Sequence, residues 1–203
     1  MSIQQIPAKD FEIAVLASSL HTPIGVFFRA ADCPPCDEVQ RTLEKLAPDY
    51  EGRLHIAIVD ITQEGADPIL SQMQLTSIPD FKLVDKKQVI AQAKGVPTET
   101  QLRELLNDHL LTEAEYRLQL LQNQVELLLS SEQFEEAMAL TKTFQQKHPE
   151  DEAAMLIELA MLIQMNRIEE AIELMNQLPD SLQQSEKAEG VKAMIASLQT
   201  TRH

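Results

Sequence analysis

The segment Cys-Pro-Pro-Cys at residues 33–36 stands where the hydrophobic pattern of the chain changes. Before it, residues 24–28 form a short apolar run of the kind that makes a buried strand. After it, apolar side chains recur at helical spacing at Val39, Leu43 and Leu46. The two cysteines are therefore expected between the end of a strand and the start of a helix, which indicates an α/β fold for this half of the chain.

Strand and helix patterns continue to alternate up to residue 111. Thr98 is the expected N-cap of a helix, and Asp85-Lys86-Lys87-Gln88 is the expected turn of a hairpin. Strands, crossover helices and a closing hairpin predict a central mixed sheet covered by helices on both faces, formed by residues 1–111. The other predicted elements are strands at 54–59, 81–84 and 89–91, a short helix at 67–75, and a helix whose apolar face holds Leu102, Leu105, Leu106 and Leu110.

Residues 112–203 are predicted to form a second domain that is entirely helical and contains a repeat. The segment Gln-Phe-Glu-Glu-Ala at 133–137 recurs as Arg-Ile-Glu-Glu-Ala at 167–171, an offset of 34 residues (167 minus 133). In the preceding helix Val125 aligns with Leu159 in the same way. A helix pair with this period resembles the tetratricopeptide repeat. Such pairs stack and present an extended surface, so this domain is expected to bind protein partners.

A last helix is predicted from about residue 182 to residue 198, as a solvated cap on the stack. Six of the eight methionines follow residue 111, and they either adapt a surface to varied partners or fill gaps in a core. In the last helix the expected apolar face holds Val191, Met194, Ile195 and Leu198, and the expected solvent side holds Glu186, Lys187 and Glu189.

The charge and composition of the chain exclude two classes of partner. The formal net charge is −15, and both halves are negative, so nucleic acids and anionic membranes would be repelled. The apolar stretches are interrupted well before the ~18 residues that a membrane span needs. The N-terminus lacks the basic start and apolar run of a secretion signal. We therefore expect a cytoplasmic protein that binds neither nucleic acid nor a membrane.

The position of each cysteine predicts its role. At a helix N-terminus, free N–H groups and the macrodipole stabilise a thiolate, so the pKa of Cys33 is expected to be lowered and Cys33 to attack a substrate disulfide. Cys36, one turn further on, is expected to resolve the mixed disulfide. Pro34 and Pro35 lack N–H groups that a first turn leaves unpaired, and they stiffen the loop. Two alternatives remain: half of a zinc site, which needs two further ligands, and a pair without function.

Residues 1–110 resemble a thioredoxin domain, both in the dithiol and in Ser77-Ile78-Pro79-Asp80, which precedes the hairpin strand. The resemblance implies that Pro79 follows a cis peptide bond and faces the dithiol. It also implies that the backbone of Ile78 pairs with an incoming peptide. The alternative is an ordinary trans proline that opens a strand.

The whole chain resembles the CnoX/YbbN-type chaperedoxins, which join a thioredoxin domain to tetratricopeptide-like helices. Thr22-Pro23-Ile24, the Asn166-Arg167 turn and Leu178-Pro179 carry this resemblance. It implies a holdase that binds unfolded or oxidised clients, protects their cysteines in mixed disulfides and passes them to refolding chaperones or a chaperonin. Members of that family carry further helices beyond the position where this chain ends, so the chaperonin contacts of those helices stay open.

Around the dithiol the sequence departs from the thioredoxin pattern. Asp32 replaces the Trp that usually precedes the first cysteine, Phe27 replaces a buried Asp, and Ile58 replaces a strand Lys. The buried Asp helps to take the proton from the resolving cysteine, so Phe27 removes a general base. Asp32, Asp37 and Asp80 are expected either near the first cysteine, where they oppose its ionisation, or on the solvated surface.

These observations predict thiol–disulfide exchange on protein substrates, of the protein-disulfide reductase type, combined with client binding by the helical domain. The exchange needs no cofactor, only a thiol reductant system that restores the dithiol. The alternative is a non-enzymatic co-chaperone or adaptor whose redox activity is vestigial.

Overall fold

The computed structural model describes residues 3–201, and the chain divides between Glu113 and Ala114 into two compact units. The first unit contains a five-stranded sheet in the order β1-β3-β2-β4-β5, in which β1 and β2 run parallel to β3, and β4 runs antiparallel to β2 and β5. This mixed sheet with flanking helices confirms the predicted fold class. The strands are β1 Ile3–Ile6, β2 Ile24–Arg29, β3 His55–Asp60, β4 Asp80–Asp85 and β5 Gln88–Lys94, and the helices are α1 Pro34–Leu46, α2 Asp67–Gln72 and α3 Glu99–Asn107.

The N-terminal part of this unit was not predicted from the sequence. Strand β1 has the sequence Ile-Gln-Gln-Ile and lies at the edge of the sheet, beside β3. Short helical turns at Ala8–Asp10, Glu12–Ala17 and Ser18–Leu20 lead from β1 to β2. Both features are too short to give a clear hydrophobic period, which explains why the pattern analysis missed them.

The sheet separates two apolar cores. Because side chains alternate along a strand, Phe27 on β2 points to the core beneath α1 and α3, and its neighbour Phe28 points to the core beneath the N-terminal turns and α2. Gly25 on β2 leaves room for a close contact in the core beneath α1 and α3. A Cβ atom at that position would lie 2.8 Å from the ring of Phe81 on β4, closer than real Cβ contacts allow.

The β4–β5 hairpin turns through two lysines in the left-handed region, Lys86 with φ 49° and Lys87 with φ 66°. A two-residue turn of this kind matches the twist of the strands, although Asn and Gly are its usual residues. Ser19 holds the turn, because its carbonyl oxygen accepts the Lys86 N–H at 2.9 Å and its Oγ accepts the Lys87 N–H at 2.9 Å. Thr98 caps α3 as predicted, in a reciprocal capping box with Gln101.

The second unit consists of helices whose hairpins repeat in detail, which confirms the predicted tetratricopeptide-like architecture. Glu132 and Asn166 adopt left-handed φ values of 60° and 59° at equivalent points of the two turns. Ala137 and Ala171, which lie in the second helix of each pair, are both completely buried. The helices are α4 Glu113–Ser130, α5 Phe134–Lys147, α6 Ala154–Gln164, α7 Ile168–Gln177, α8 Asp180–Gln183 and α9 Glu186–Thr201.

The prediction of one continuous last helix was wrong. Helix α8 ends at Gln183, and the Oγ of Ser185 accepts the N–H of Ala188 at 3.2 Å, which starts α9 as a separate helix. Ile195 is buried as expected, but Met194 is 54% exposed. The side chains of Lys187 and Leu198, for which a side was also predicted, lie outside the described residues. None of the helices within residues 3–201 is long and apolar enough to cross a membrane.

Candidate active site at the dithiol

The two cysteines sit at the start of α1 and are joined by a disulfide, with their Cα atoms 5.2 Å apart. Cys33 is the N-cap residue of the helix and is partly exposed, whereas Cys36 is completely buried in the core beneath α1. The difference arises because α1 turns its apolar stripe, which includes Val39 and Leu43, toward the sheet, and Cys36 belongs to that stripe. A molecule in solvent therefore reaches Cys33 before Cys36.

The first turn of α1 offers fewer N–H donors to Cys33 than the sequence analysis expected. Pro34 and Pro35 have no N–H, and the next two N–H groups, of Cys36 and Asp37, donate to the carbonyl oxygen of Cys33 at 2.8 and 3.2 Å. The expected free N–H groups are thus absent or already engaged. Of the two effects expected to stabilise a Cys33 thiolate, the helix macrodipole remains.

The surroundings of Cys36 are apolar. Phe27 pairs with Ile58 on β3 and with Phe81 on β4, and all three lie in the same buried cluster as Cys36. The one buried carboxylate among the described residues of this unit, Asp80, lies on the opposite face of the sheet. The polar member of the cluster, Tyr50, donates its hydroxyl to Asn107 Oδ1 at 2.9 Å, and burial raises the pKa of Tyr50.

The loop before β4 reaches the same core. The Ile78–Pro79 peptide bond is cis, the geometry that the thioredoxin resemblance implied. Cys33 and Ile78 both pack, partly buried, against the cluster that contains Cys36. Pro79 is buried, and its carbonyl oxygen accepts the N–H of Gly95 at 2.9 Å, which ties the loop to the end of β5.

The three aspartates singled out by the sequence analysis have different environments. Asp32 is exposed, with a left-handed φ of 52°. Asp37 forms a salt bridge with Arg29 at 2.8 Å, so the positive charge of Arg29 offsets it. Asp80 is completely buried, and its partner is Lys82, at 3.3 Å. The expectation of a solvated surface position for Asp80 was therefore wrong, and the charge of Lys82 offsets its carboxylate.

The polar network around Asp80 was not predicted from the sequence. Gln92 on β5 donates its Nε2 to the two carboxylate oxygens of Asp80 at 2.9 and 2.7 Å, beside the Lys82 ion pair. Asp80 lies on the face of β4 opposite Phe81, away from the Cys36 cluster. The sequence does carry a signal for this network. Residues two apart on a strand share a face, so Asp80 and Lys82 lie on the same face of β4, and the hairpin places Lys82 opposite Gln92.

A second polar cluster lies in the helical unit. His148, Glu150 and Asp151 bring ligand-type atoms within 4.8 Å of one another. The guanidinium of Arg117 contacts both carboxylates, Glu150 at 3.4 Å and Asp151 at 3.1 Å. A cation is thus already provided by the protein, and the cluster is an ion-pair network that joins α4 to the start of α6.

The helical unit also contains an apolar groove of about 740 Å³ between α4, α6 and α9. Its carboxylates come from Glu115 and Glu126, and no Lys or Arg lines it among the described residues. Met194, the residue that departs from the predicted apolar face, lies in this groove. The aliphatic lining comes mainly from Leu118, Leu129, Leu156, Ile157 and Val191.

A mixed sheet, an exposed and a buried cysteine at the start of a helix, and a cis-proline loop packed on the same core define a thioredoxin-fold dithiol protein. The family model for thioredoxin matches residues 2–108, and the one for the tetratricopeptide repeat matches residues 111–195. This chain belongs to the thioredoxin family and carries a tetratricopeptide-like unit after its thioredoxin domain.

Curated relatives align with the first unit. The chain is 34% identical over 101 residues to thioredoxin of Haemophilus influenzae, an alignment that covers 50% of this chain and 91% of that protein. It is 31% identical over 110 residues to thioredoxin of Staphylococcus aureus, covering 54% and 100% of the two chains. Thioredoxin 1 of a Nostoc species is 29% identical over 106 residues, covering 52% and 95%. The homologues and the Cys33–Cys36 pair support thiol–disulfide redox activity, and the helical unit suggests partner binding.

Proposed function

We propose that this protein is a redox-linked holdase, which exchanges disulfides with client proteins through Cys33 and Cys36 while its helical unit holds an apolar segment of the client. The observation that carries the redox part is the contrast between a partly exposed Cys33 and a completely buried Cys36 on one helical turn. This contrast suits one cysteine for attack and the other for resolution.

The exchange proceeds in two displacements. The thiolate of Cys33 attacks one sulfur of a client disulfide, the client disulfide breaks, and the released client thiolate takes a proton from water. The thiolate of Cys36 then attacks the Sγ of Cys33, which forms the Cys33–Cys36 disulfide and releases the second client thiol. Two electrons pass to the client, and a thiol reductant returns them to the protein. The backbone of Ile78, held by cis-Pro79, aligns the client peptide beside Cys33.

Slow attack of Cys36 on the mixed disulfide would favour holding of the client over rapid reduction of its disulfides. Only a thiolate attacks a disulfide, and burial disfavours the charged form of Cys36. Phe27 fills the place of a general base with an apolar ring, and Asp80, the one buried carboxylate described in this unit, lies on the other face of the sheet, so the Cys36 proton has no buried carboxylate beside it as acceptor. The mixed disulfide between Cys33 and the client therefore persists, which shields the client cysteine from further oxidation.

The groove of the helical unit is the proposed client site. Its aliphatic and methionine lining fits an apolar client segment, and its glutamates favour basic residues beside that segment. Exposed segments of this kind occur in unfolded and oxidised proteins. Transfer of clients to refolding chaperones or a chaperonin, in the cytoplasm, completes the proposal.

A blocking variant tests the groove. Gly190 lines the groove, and a Cβ atom built there meets nothing beyond its own stretch of helix within 4 Å, so we expect the indole of Gly190→Trp to occupy the groove. We expect this variant to lose most of its suppression of light scattering by an aggregating, cysteine-free client, while Gly190→Ala keeps it. Full suppression by Gly190→Trp would contradict the groove as the client site.

The second candidate is an adaptor with vestigial redox activity, and Phe27 at the general-base position favours it. The reduction of insulin disulfides distinguishes the two candidates. The holdase reduces insulin slowly, and it loses this activity in Cys33→Ser. An adaptor shows no reduction above the rate of the reductant alone. Insulin reduction should be unchanged in Gly190→Trp, because the groove belongs to the helical unit.

A further inference from the structure

A cleft of about 590 Å³ lies on the sheet face opposite the Cys36 cluster. Its walls are the β4–β5 hairpin, Leu16 of the N-terminal turns, and the chain from the last residue of α2 toward the cis-proline loop, which contributes Gln72, Met73, Gln74 and Thr76. Leu16 and Met73 belong to the core beneath the N-terminal turns, so this cleft is separate from the dithiol site. We propose that it binds the phosphate group of a small organic phosphate. This inference does not depend on the redox role.

The charge of the cleft is opposite to that of the whole chain. The protein has a net charge of −15, yet Lys82, Lys87 and Lys94 line the cleft and no Asp or Glu lines it among the described residues. Lys82 is buried, with its side chain 4% exposed, and its charge is balanced by Asp80 beneath it. Lys87 and Lys94 therefore give the cleft its positive charge, which matches the two negative charges of a phosphate monoester.

The other polar groups of the cleft include several hydrogen-bond donors. Side-chain amides of Gln72, Gln74 and Gln88 line the walls, and the Nζ of Lys94 lies 3.2 Å from the Oγ1 of Thr76, to which it donates. Phosphate oxygens accept hydrogen bonds from amide and ammonium groups, and lysine binds phosphate as a point charge. A carboxylate ligand has fewer acceptor oxygens and half the charge, so the donors favour phosphate.

The size of the cleft favours an organic phosphate over the free ion. Small-molecule sites typically enclose roughly 300–1,000 Å³, and this cleft lies within that range. A phosphate ion alone would leave most of it to water. Leu16, Met73 and Val89 line the remainder and fit the carbon skeleton of an ester.

The binding is measured on the full chain by amide chemical shifts in NMR, with sodium phosphate and n-butyl phosphate as probes. Sodium chloride at matched ionic strength and n-butanol are the blanks. We expect saturable shifts of the amides of Thr76, Gln88 and Lys94. The ester should bind several-fold more tightly than the free ion, because its carbon skeleton contacts the apolar wall. Equal affinity for both phosphates would still support the anion site but would overturn its assignment to an organic phosphate.

Paired variants test the lysines. Lys87→Gln combined with Lys94→Gln should weaken binding of either phosphate by roughly tenfold or more, since two charge-assisted hydrogen bonds are lost. Lys86→Gln is the matched control, because Lys86 precedes Lys87 in the same turn with a similar φ but does not line the cleft. It should change the affinity less than about twofold. Shifts that follow ionic strength alone, or equal losses in the control and the double variant, would overturn the proposal.

Discussion

The two units of this protein differ in how completely they enclose their apolar residues. The thioredoxin unit places one closed core on each face of its sheet, and even its buried charge, Asp80, has partners in Lys82 and Gln92. Among its described residues, the helical unit has a single core, and it leaves an apolar groove of about 740 Å³ open along α4, α6 and α9. A closed core holds a dithiol in one geometry, whereas an open groove keeps apolar area available for a partner.

The two units also differ in where they place charged side chains. In the thioredoxin unit, Phe27 and Ile58 pack in the same cluster as Cys36, and the buried Asp80–Lys82 pair lies on the opposite face of the sheet. The buried charges that the structure describes in this unit are therefore kept away from the face that holds Cys36. In the helical unit, by contrast, two carboxylates, those of Glu115 and Glu126, line the groove beside aliphatic side chains.

The largest expected effect concerns the two cysteines. Cys33→Ser should abolish disulfide exchange, because the partly exposed nucleophile is gone. Cys36→Ser should accumulate covalent client adducts, because nothing resolves the mixed disulfide. Non-reducing electrophoresis after incubation with an oxidised client measures both. Adducts formed through Cys36 in the Cys33→Ser protein would reverse the two roles.

Phe27→Asp tests whether the apolar surroundings of Cys36 slow its attack. A carboxylate in the cluster can accept the Cys36 proton, so release from a preformed Cys33 mixed disulfide should be about 100-fold faster near neutral pH. Wild-type release should instead rise with pH through the alkaline range, because it depends on the thiolate of Cys36. The unfolding free energy should fall by several kcal/mol, since an acid replaces a core aromatic.

Single-turnover release, followed in folded protein, provides the measurement for Phe27. Phe27→Leu is the matched control, because it removes the ring without adding an acid and should leave the release rate unchanged. Release in the wild type as fast as in an ordinary thioredoxin would remove the argument for client holding. Acceleration in Phe27→Leu would show that packing, rather than proton transfer, limits the step.

The buried ion pair gives the next largest effect. Lys82→Met leaves the carboxylate of Asp80 buried without its charge partner, which should lower the unfolding free energy by about 3–5 kcal/mol. Replacing both residues, Asp80→Leu with Lys82→Met, should recover most of that loss, since apolar pairs of similar volume often substitute for buried ion pairs. Denaturant unfolding of the two proteins measures the difference.

Lys45→Met is the control for the ion pair. Lys45 also contacts a carboxylate, that of Glu99 at 2.6 Å, but its side chain is 69% exposed. Solvent screens such a pair, so its loss should change stability little. A loss in Lys82→Met no larger than in Lys45→Met would show that the closed core of the thioredoxin unit tolerates an unpaired charge.

The long periodic patterns of the sequence were sufficient to predict both units. The recurrence of Ala137 at Ala171 predicts helix pairs, and the structure shows the same left-handed turn before each of them. Short features were missed because they carry no period: β1 is four residues long, and one hydroxyl, that of Ser185, separates α8 from α9. A hydrophobic pattern predicts which side chains are buried, but it does not predict which residues they contact.

The site was predicted less completely for the same reason. Residue types and spacing indicated Cys33 and Cys36, but the sequence could not show that the N–H groups after Pro35 donate back to Cys33. It also left Asp80 either near the first cysteine or on the surface, whereas the carboxylate is buried on the face of the sheet opposite the Cys36 cluster. Those facts depend on register and on hydrogen-bond partners that are distant in sequence.

The smallest expected effect tests whether the two units are energetically separate. Gly190 lies inside α9, where a Cβ atom would meet nothing within 4 Å. Alanine favours a helix over glycine by about 0.5–1 kcal/mol, so Gly190→Ala should raise the melting temperature of the helical unit by roughly 2–8 °C. Gly95→Ala is the opposite control in the thioredoxin unit. Gly95 has a φ of +73°, where a side chain costs about 1–2 kcal/mol, so that unit should melt at a lower temperature. Scanning calorimetry should show each variant moving its own transition, and a common shift of both transitions would show that the open and the closed unit unfold as one.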